Sequence, residues 1–407
     1  MTVPTQQFES PYAWGRLVAS LCLMTLGGVG MYAAAVALPA IQAEFGVTRS
    51  QASLPYTVTM VGFGFGGILM GRLADRHGVM IPVLIGIAAL GLGFIGAGLA
   101  PSLLTFAIAQ CLLIGALGNA ATFVPLVTDT SMWFTRRRGI AIAICASGNY
   151  VAGAVWPPVL QHYFDLVGWR QTFVGVGVFS IVAMVPLAFA LRRRPPALVS
   201  TGRSAPSAQR SDQPLGFSPG ALQALLCLAG LACCVAMSMP QVHIVAYCGD
   251  LGFGPARGAQ MLSLMLGFGI VSRLASGWIC DRIGGLRTLL LGSLLQGIAL
   301  ALFLLFDGLA SLYVISALFG LFQGGIVPSY AIIVREYFTP REAGARVGLV
   351  LMATLFGMAL GGWLSGVVFD LTGSYRAAFV NGVGWNLLNV AIATGLFYRS
   401  KRRHALA

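Results

Sequence analysis

Charged residues are scarce in this chain of 407 residues. Asp, Glu, Lys and Arg together make up 9% of it, whereas apolar residues make up 57% and the mean hydropathy is +0.84. A soluble globular domain normally carries about a quarter charged residues. So few charges do not cover a water-facing surface. The composition therefore excludes a soluble protein and indicates that lipid is the main solvent.

Lysine is nearly absent, with Lys401 as its sole example, and the chain has only 12 acidic residues. A phosphate-binding loop of the type Gly-x4-Gly-Lys-Ser/Thr needs a lysine, so a nucleotide-driven pump is excluded. The histidines and cysteines lack metal-ligand spacing. No Ser/His/acid or Cys/His set is predicted at one membrane depth. We therefore expect neither an enzyme, nor a metal site, nor a cofactor.

Long apolar runs are abundant. A transmembrane helix needs about 20 mainly apolar residues, whereas a spanning strand needs about 10 residues that alternate in polarity. Twelve stretches meet the helical requirement, which predicts an all-α membrane protein with twelve transmembrane helices. We number these spans 1 to 12, and they cover residues 15–41, 52–74, 80–99, 103–128, 138–163, 168–191, 219–247, 257–280, 286–306, 310–334, 345–369 and 375–398.

Three short motifs occur twice, in the same order and at nearly constant spacing. The pattern Gly-x3-Asp-Arg-x-Gly stands between spans 2 and 3 and again between spans 8 and 9. A second motif follows spans 4 and 10, and a third opens spans 6 and 12. Such self-similarity indicates a duplicated architecture. The matched pairs are residues 71–78 and 277–284, 133–136 and 337–340, and 165–173 and 370–379.

The repeat predicts two pseudo-symmetric six-helix bundles. We expect an N-terminal bundle over residues 1–191 and a C-terminal bundle over residues 218–407. Residues 192–217 are rich in Pro, Ser, Arg and Gln, so they are predicted to form a solvated cytoplasmic linker. Two parallel six-span repeats are typical of secondary transporters.

The cations are distributed unevenly among the loops. If the N-terminus is cytoplasmic, 20 of the 25 cations lie inside, four lie outside (Arg49, Arg170, Arg257, Arg376) and Arg273 falls within span 8. The positive-inside rule then predicts cytoplasmic termini in a bacterial inner membrane. The net charge of +13 thus reflects topology. We expect a monomer whose partners are lipid, a small solute and protons, and no nucleic acid.

The repeated loop motif resembles the signature loop of the major facilitator superfamily, although Val79-Met80 replaces the usual trailing basic pair. The resemblance covers the whole chain and implies the major facilitator fold. Charges at these helix ends are predicted to hold the cytoplasmic side closed in one state and to release it in the other. Alternatively, they only orient spans 2 and 8. The predicted gating residues are Gly71, Asp75, Arg76, Gly78, Asp281 and Arg282.

Arg273 is the cation that the span map places inside the membrane. An arginine cannot lose its proton, so it must face water, a counter-charge or an anionic ligand. No acid is predicted at mid-depth to pair with it. Its two parallel N–H donors match a carboxylate, and we therefore predict an anionic solute. Snorkelling to the interface, or capping of carbonyls at a helix break, is the alternative role.

Span 8 carries the pattern Arg273-x3-Gly277-x3-Asp281, which resembles the monocarboxylate and oxalate–formate transporter families. In those families an arginine at this place binds the substrate carboxylate. Bacterial members of that group also resemble this chain at residues 243–247, 137–139 and 373–375. The span 11 lysine of the oxalate–formate exchangers is missing here. The span 1 lysine of animal carriers is missing too, and Gly269 replaces their acid.

One buried cation balances one negative charge, so a monocarboxylate is favoured over a dicarboxylate. Polar or aromatic residues near mid-span are predicted to complete the site, although helix packing explains each of them equally well. These candidates are Asn119, His243, Tyr330, Asn149, Tyr150, Tyr32, Phe123, Phe356 and Trp385. The candidates for proton coupling are His243, Asp129 and Asp250. Asn386 and Asn389 are predicted to tie helices together.

The sequence thus predicts a secondary transporter that moves a small organic monocarboxylate by alternating access, through proton coupling or anion exchange. A carrier of a neutral or larger aromatic solute is the second hypothesis. A non-transporting sensor of its ligand is the third.

Overall fold

A computed structural model of the protein describes residues 9–134, 136–193 and 214–406. Across these ranges there is no strand, and twelve helices are long and apolar enough to cross a membrane. All twelve predicted spans are confirmed. Their bounds are Pro11–Phe45, Arg49–His77, Met80–Gly98, Leu103–Trp133, Arg138–Val167, Trp169–Phe189, Pro219–Asp250, Pro255–Ile283, Gly285–Leu305, Leu309–Tyr337, Glu342–Thr372 and Tyr375–Arg402.

Most spans are longer than predicted because their polar ends remain helical. Span 2 begins at Arg49 after a capping box, in which the Thr48 hydroxyl accepts from the Gln51 backbone N–H and the Gln51 side chain accepts from the Thr48 N–H. This arrangement satisfies two orphan donors of the first turn. The helix ends where Gly78 adopts φ +85°. Hydropathy does not register such ends.

Three spans are interrupted, which the sequence analysis did not predict. Span 1 breaks at Gly28, between helices Pro11–Gly27 and Val29–Phe45. Span 4 passes through a π-helix over Ala109–Asn119 and restarts at Val124, while span 10 breaks between Gln323 and Ile326. Long π-helices are rare and often occur at functional sites. Broken spans are also typical of transporter binding sites.

The helices pack into two compact units. Unit 1 comprises Met1–Val199 with Ile244–Leu266, and unit 2 comprises Ser200–His243 with Gly267–Ala407. The end of span 7 and the start of span 8 therefore pack in unit 1, although the sequence repeat assigns them to the C-terminal half. The predicted bundle boundaries stay a prediction. Residues 194–213 of the predicted linker lie outside the described residues.

Glycine pairs allow two pairs of helices to approach closely. Gly62 and Gly66 on span 2 face the backbone of span 4, and Gly357 and Gly361 on span 11 face the backbone of span 7. A Cβ atom at any of the four would overlap a neighbouring backbone atom. This Gly-x3-Gly spacing places both glycines on one helix face, where close approach supplies the packing that stabilises helix pairs in lipid.

The internal repeat is visible in the backbone. Gly78 and Gly284 end spans 2 and 8 with almost the same conformation, φ +85° and ψ 165° against φ +82° and ψ 165°. Each glycine N–H donates to the carbonyl four residues before it, that of Ala74 or Cys280. A positive φ favours glycine because it lacks a Cβ. The repeated loop motif therefore corresponds to a repeated helix ending.

A second element of the repeat joins non-adjacent spans. Near the start of span 6, Arg170 donates from Nη1 to the carbonyls of Gly98 and Ala100 at 3.0 and 2.7 Å. Near the start of span 12, Arg376 donates from Nη2 to the Leu304 carbonyl at 3.1 Å. Both arginines thus bind the carbonyl end of the third helix of their repeat. Cations stabilise this end because it carries the negative pole of the helix dipole.

The predicted role of the span 12 asparagines is confirmed. Asn386 donates from Nδ2 to the Ser293 carbonyl at 3.0 Å, and Asn389 donates to the Ser293 hydroxyl at 2.7 Å. Tyr330 donates its hydroxyl to Asn389 Oδ1 at 2.9 Å. Spans 9, 10 and 12 of unit 2 are therefore joined by one buried polar network.

Substitution of the two repeated arginines should have unequal effects. Arg170→Ala removes two charge-assisted bonds to carbonyls and a contact to Glu44, so we expect a loss of about 1–3 kcal/mol in unfolding free energy. Arg376→Ala removes one such bond and should cost about 1 kcal/mol. Denaturant unfolding in detergent measures both. Arg257→Ala, at an exposed helix start, is the control, and equal losses for all three variants would contradict the expectation.

Candidate solute-binding site

A small cavity in unit 1 lies at the breaks of spans 1 and 4. The centre of a water-sized sphere can move within about 10 Å³ of this cavity. The cavity therefore has room for about one water molecule. Three predicted solute-binding residues meet there, namely Asn119, Phe123 and Asn149. The complete lining is Met24, Gly28, Met31, Phe63, Asn119, Thr122, Phe123 and Asn149.

Asn119 is the polar centre of this cavity. It is the last residue of the π-helix and only 3% exposed. Its side-chain oxygen and nitrogen have no hydrogen-bond partner among the described residues. Gly30 makes room for the amide, since a Cβ there would lie 2.6 Å from Asn119 Oδ1. An unsatisfied buried amide costs about 1–3 kcal/mol. A ligand that completes the hydrogen bonds of Asn119 would remove this cost.

Aromatic rings surround the amides. Tyr32 is buried and donates its hydroxyl to the Asn149 carbonyl at 3.2 Å. The Phe123 ring meets the Phe63 ring edge to face, with centroids 5.8 Å apart. Tyr150 is half-buried on span 5. The structure therefore brings four predicted residues of unit 1 together, namely Asn119, Asn149, Tyr32 and Phe123.

Five of the eight lining residues were not predicted from the sequence. Met24, Met31 and Phe63 are apolar in apolar spans, so nothing in the pattern distinguishes them from packing residues. Two signals were present: the Gly27-Gly28 pair inside span 1, and Pro125 two residues after Phe123. Both mark places where a helix is easily interrupted.

Arg273 lies in unit 2, half-buried within the span 8 helix. Eight residues separate it from Asp281, which is about 12 Å along a helix. The break of span 10 packs against the helix turn of span 8 that precedes Arg273. A Cβ at Gly324 would lie 2.5 Å from the Gly269 carbonyl oxygen and 2.8 Å from Ser272 Cβ. The predicted carboxylate ligand thus adjoins an irregular helix.

The two acids proposed for proton coupling are both ion-paired. Asp129 receives two bonds from Arg16, Nε to Oδ2 at 2.7 Å and Nη2 to Oδ1 at 2.9 Å, and each side chain is 2% exposed. Arg16 also stands over the Trp133 ring at 4.9 Å. Arg16 is one of the 20 cations predicted on the cytoplasmic side, and its burial was not predicted. Protonation of Asp129 would leave Arg16 without a counter-charge.

Asp250 binds Arg49, whose Nη2 lies 3.1 and 3.2 Å from the two carboxylate oxygens. Asp250 is 40% exposed and Arg49 is 9% exposed. Both line an open cavity of about 450 Å³, together with the ends of spans 1 and 7. The pair stabilises unit 1 by joining span 2 to span 7.

His243 is fully buried in unit 2 and joins three helices. Its Nε2 lies 2.7 Å from the Gly362 carbonyl, and its Nδ1 lies 3.1 Å from the Tyr375 hydroxyl. A carbonyl only accepts, so Nε2 carries a hydrogen. In the neutral ring Nδ1 therefore accepts from Tyr375. The structure thus supports the packing role that the sequence left open.

Tyr330 is a predicted solute ligand that the structure places in the core of unit 2. It is 0% exposed, its hydroxyl binds Asn389, and it belongs to the apolar cluster of spans 7, 9, 10, 11 and 12. These contacts account for it as a packing residue. Phe356 on span 11 and Trp385 on span 12 are half-buried.

The predicted gating charges Asp75, Arg76, Asp281 and Arg282 are exposed. Arg282 stands 3.7 Å over the Trp278 ring. Within the described ranges neither Asp75 nor Asp281 forms an ion pair. Gly78 and Gly284 end their helices with positive φ, whereas Gly71 is half-buried inside span 2. A gating role for this set stays a prediction.

The sequence matches the family model of the Major Facilitator Superfamily over residues 20–311 and 277–406. Monocarboxylate transporter 13 of Rattus norvegicus is 30% identical over 81% of this chain and 75% of the rat protein. The MFS-type transporter pynF of Aspergillus niger is 24% identical over 81% of this chain and 74% of the fungal protein.

Solved structures share the fold. A bacterial homolog to the human lysosomal transporter Spinster, crystallised in an inward-facing and occupied conformation, superposes with a TM-score of 0.74 at 16% identity, over 97% of this chain and 98% of the other. The nucleoside transporter NupG superposes with a TM-score of 0.73 at 15% identity, over 95% of this chain and all of the other.

The Arg16–Asp129 pair generates a prediction about stability. Asp129→Asn leaves the buried Arg16 uncompensated, so it should lower the unfolding free energy by about 3–5 kcal/mol. The double variant Arg16→Met/Asp129→Leu removes both charges and should recover most of that loss. Thermal unfolding in detergent measures both variants. An Asp129→Asn protein as stable as the wild type would refute the prediction.

The double variant also bears on proton coupling. An altered pH dependence of its uptake would support a role of Asp129 in that coupling.

Proposed function

Because the chain belongs to the major facilitator superfamily, we propose that it is a secondary transporter of a small organic monocarboxylate anion. It would work by alternating access in a bacterial inner membrane, with both termini in the cytoplasm. The single observation that carries the proposal is the arginine within span 8, at position 273. The similarity to Monocarboxylate transporter 13 supports it.

The chemistry of Arg273 favours a carboxylate. A guanidinium remains charged at any physiological pH and offers two parallel N–H donors that match two carboxylate oxygens. We therefore assign the carboxylate of the solute to Arg273.

One negative charge suits this chain better than two. The oxalate–formate exchangers that it resembles use a lysine in span 11. The basic residue at the start of span 11 here is Arg346, which binds Glu342 at 2.8 Å. A second carboxylate in the membrane would have no such cation and would be costly to desolvate. This supports a monoanion.

Within unit 1, the amides and rings at the small cavity are further proposed contacts of the solute. Asn119 has free hydrogen-bonding capacity, Asn149 lines the same cavity, and the rings of Tyr32 and Phe123 adjoin it. Tyr150 and, in unit 2, Phe356 and Trp385 are the further proposed apolar contacts. Such a lining, mostly apolar with a few placed polar groups, is typical of small-molecule sites.

The coupling has two possible forms, proton symport and anion exchange. Of the three proposed coupling residues, Asp129 and Asp250 bind arginines, whereas His243 contacts a hydroxyl and a carbonyl. It can gain a proton at Nδ1 and keep both contacts, because the Tyr375 hydroxyl is able to accept as well as donate. An inward proton gradient that accelerates uptake into proteoliposomes supports symport, whereas a requirement for internal anion supports exchange.

Uptake of a labelled monocarboxylate into proteoliposomes tests the role of Arg273. Arg273→Ala should reduce uptake at least about 30-fold, because loss of one partner of a buried charge pair costs 2 kcal/mol or more. Arg273→Lys keeps the charge without the parallel donors and should retain part of the activity. Arg257→Ala on the same helix is exposed and serves as the matched control.

Full uptake by a well-expressed Arg273→Ala protein would contradict the proposal that Arg273 binds the carboxylate of the solute. Uptake of a neutral aromatic solute with no carboxylate flux would support the second hypothesis instead. Ligand binding without counterflow would identify a sensor.

A further inference from the structure

Gln323 is a buried amide at the break of span 10. It is the last residue of helix Leu309–Gln323 and is 0% exposed. Its Oε1 accepts a hydrogen bond from Gln241 Nε2 at 3.0 Å. Its own Nε2 has no hydrogen-bond partner among the described residues.

The internal repeat relates Gln323 to Asn119. Asn119 ends the π-helix of span 4, and Gln323 ends the helix before the break of span 10. Each precedes the repeated aromatic motif, Trp133-Phe134 or Tyr337-Phe338, by the same number of residues. Both are buried amides with an unsatisfied nitrogen. Two unrelated amides would rarely share a position, a burial and an unsatisfied donor.

The unsatisfied atom distinguishes Gln323 from the other buried amides of unit 2. Gln223, Gln296 and Asn386 each leave a side-chain oxygen unsatisfied, whereas Gln323 leaves its nitrogen. Buried N–H groups without a partner are rarer in folded proteins than under-satisfied carbonyls. Gln296, for example, uses its Nε2 to bind the Cys233 carbonyl at 3.2 Å. Gln323 therefore has donors that its own unit does not use.

Gln323 also adjoins the helix turn of Arg273 within unit 2. The next residue, Gly324, packs so closely on span 8 that a Cβ would lie 2.8 Å from Ser272 Cβ. Ser272 directly precedes Arg273. A Cβ at Gly325 would overlap Ser276, the residue whose hydroxyl binds the Arg273 carbonyl. Gln323 and Arg273 are therefore each the direct sequence neighbour of a residue in this close helix contact, Gly324 and Ser272.

We propose that Gln323 is a specificity-determining residue that donates its Nε2 hydrogens to a neutral oxygen of the solute while Arg273 binds the carboxylate. Gln241 holds the amide in this orientation, because its own Nε2 occupies Gln323 Oε1. Unit 2 therefore favours a monocarboxylate with a hydroxyl, keto or carboxamide oxygen over the unsubstituted acid of equal chain length. This inference rests on the proposed function.

The test compares uptake of two labelled acids of equal length, one with and one without such an oxygen, in proteoliposomes. Gln323→Met keeps the side-chain size but removes the donors. We expect the ratio of the two kcat/KM values to fall about five- to tenfold, the range of one hydrogen bond, with uptake of the unsubstituted acid unchanged. Gln296→Met is the matched control, and its ratio should equal that of the wild type.

Gln323→Leu provides a second variant if Gln323→Met folds poorly. It also removes the donors and adds no charge, so the ratio should fall equally far. An unchanged ratio in either folded variant, or an equal loss for both acids, overturns the inference and leaves the proposed function standing. A wild-type protein that carries no monocarboxylate overturns both.

Discussion

The absence of water from the hydrocarbon core is the constraint from which the rest of this structure follows. Each backbone polar group must be satisfied within the protein, which leaves helices as the spanning elements. A charged side chain must then lie at a helix end, form an ion pair or take part in function. The Arg16–Asp129 pair, with both side chains 2% exposed, is the paired case. Arg170 and Arg376 are the helix-end case. Arg273, within span 8, is the case that we assign to function.

The helix breaks are the other consequence of this constraint. Irregular backbone at membrane depth is tolerated where protein surrounds it or where it lines a cavity. Spans 1 and 4 break beside the cavity that contains Asn119, and span 10 breaks at Gln323 against span 8. The interruptions thus occur where buried amides have spare hydrogen-bonding capacity. A regular helix would pack more easily but would not present these side chains in the same way.

Much of the fold was predictable from the amino-acid sequence. The lengths of the apolar runs predicted all twelve spans. The repeated motifs coincide with the matched helix endings at Gly78 and Gly284. The tendency of asparagine to form interhelical bonds in lipid predicted the role of Asn386 and Asn389. The Arg16–Asp129 pair was not predictable, since its members are 113 residues apart and no local pattern joins them. Similarly, hydropathy registers neither a π-helix nor the burial of Tyr330. In unit 1, side-chain type indicated Asn119 and Asn149 as candidates, whereas only the packing placed Phe63 at the same cavity.

The repeated helix endings have a consequence for the origin of the fold. In each half, a glycine closes the turn after the second helix, and an arginine of the sixth helix secures the end of the third helix. All of these contacts lie within one half. A gene that encodes six such helices can therefore be duplicated and fused while each copy keeps these particular contacts. The asymmetry between Arg170, with two carbonyl partners, and Arg376, with one, records a divergence of the two copies.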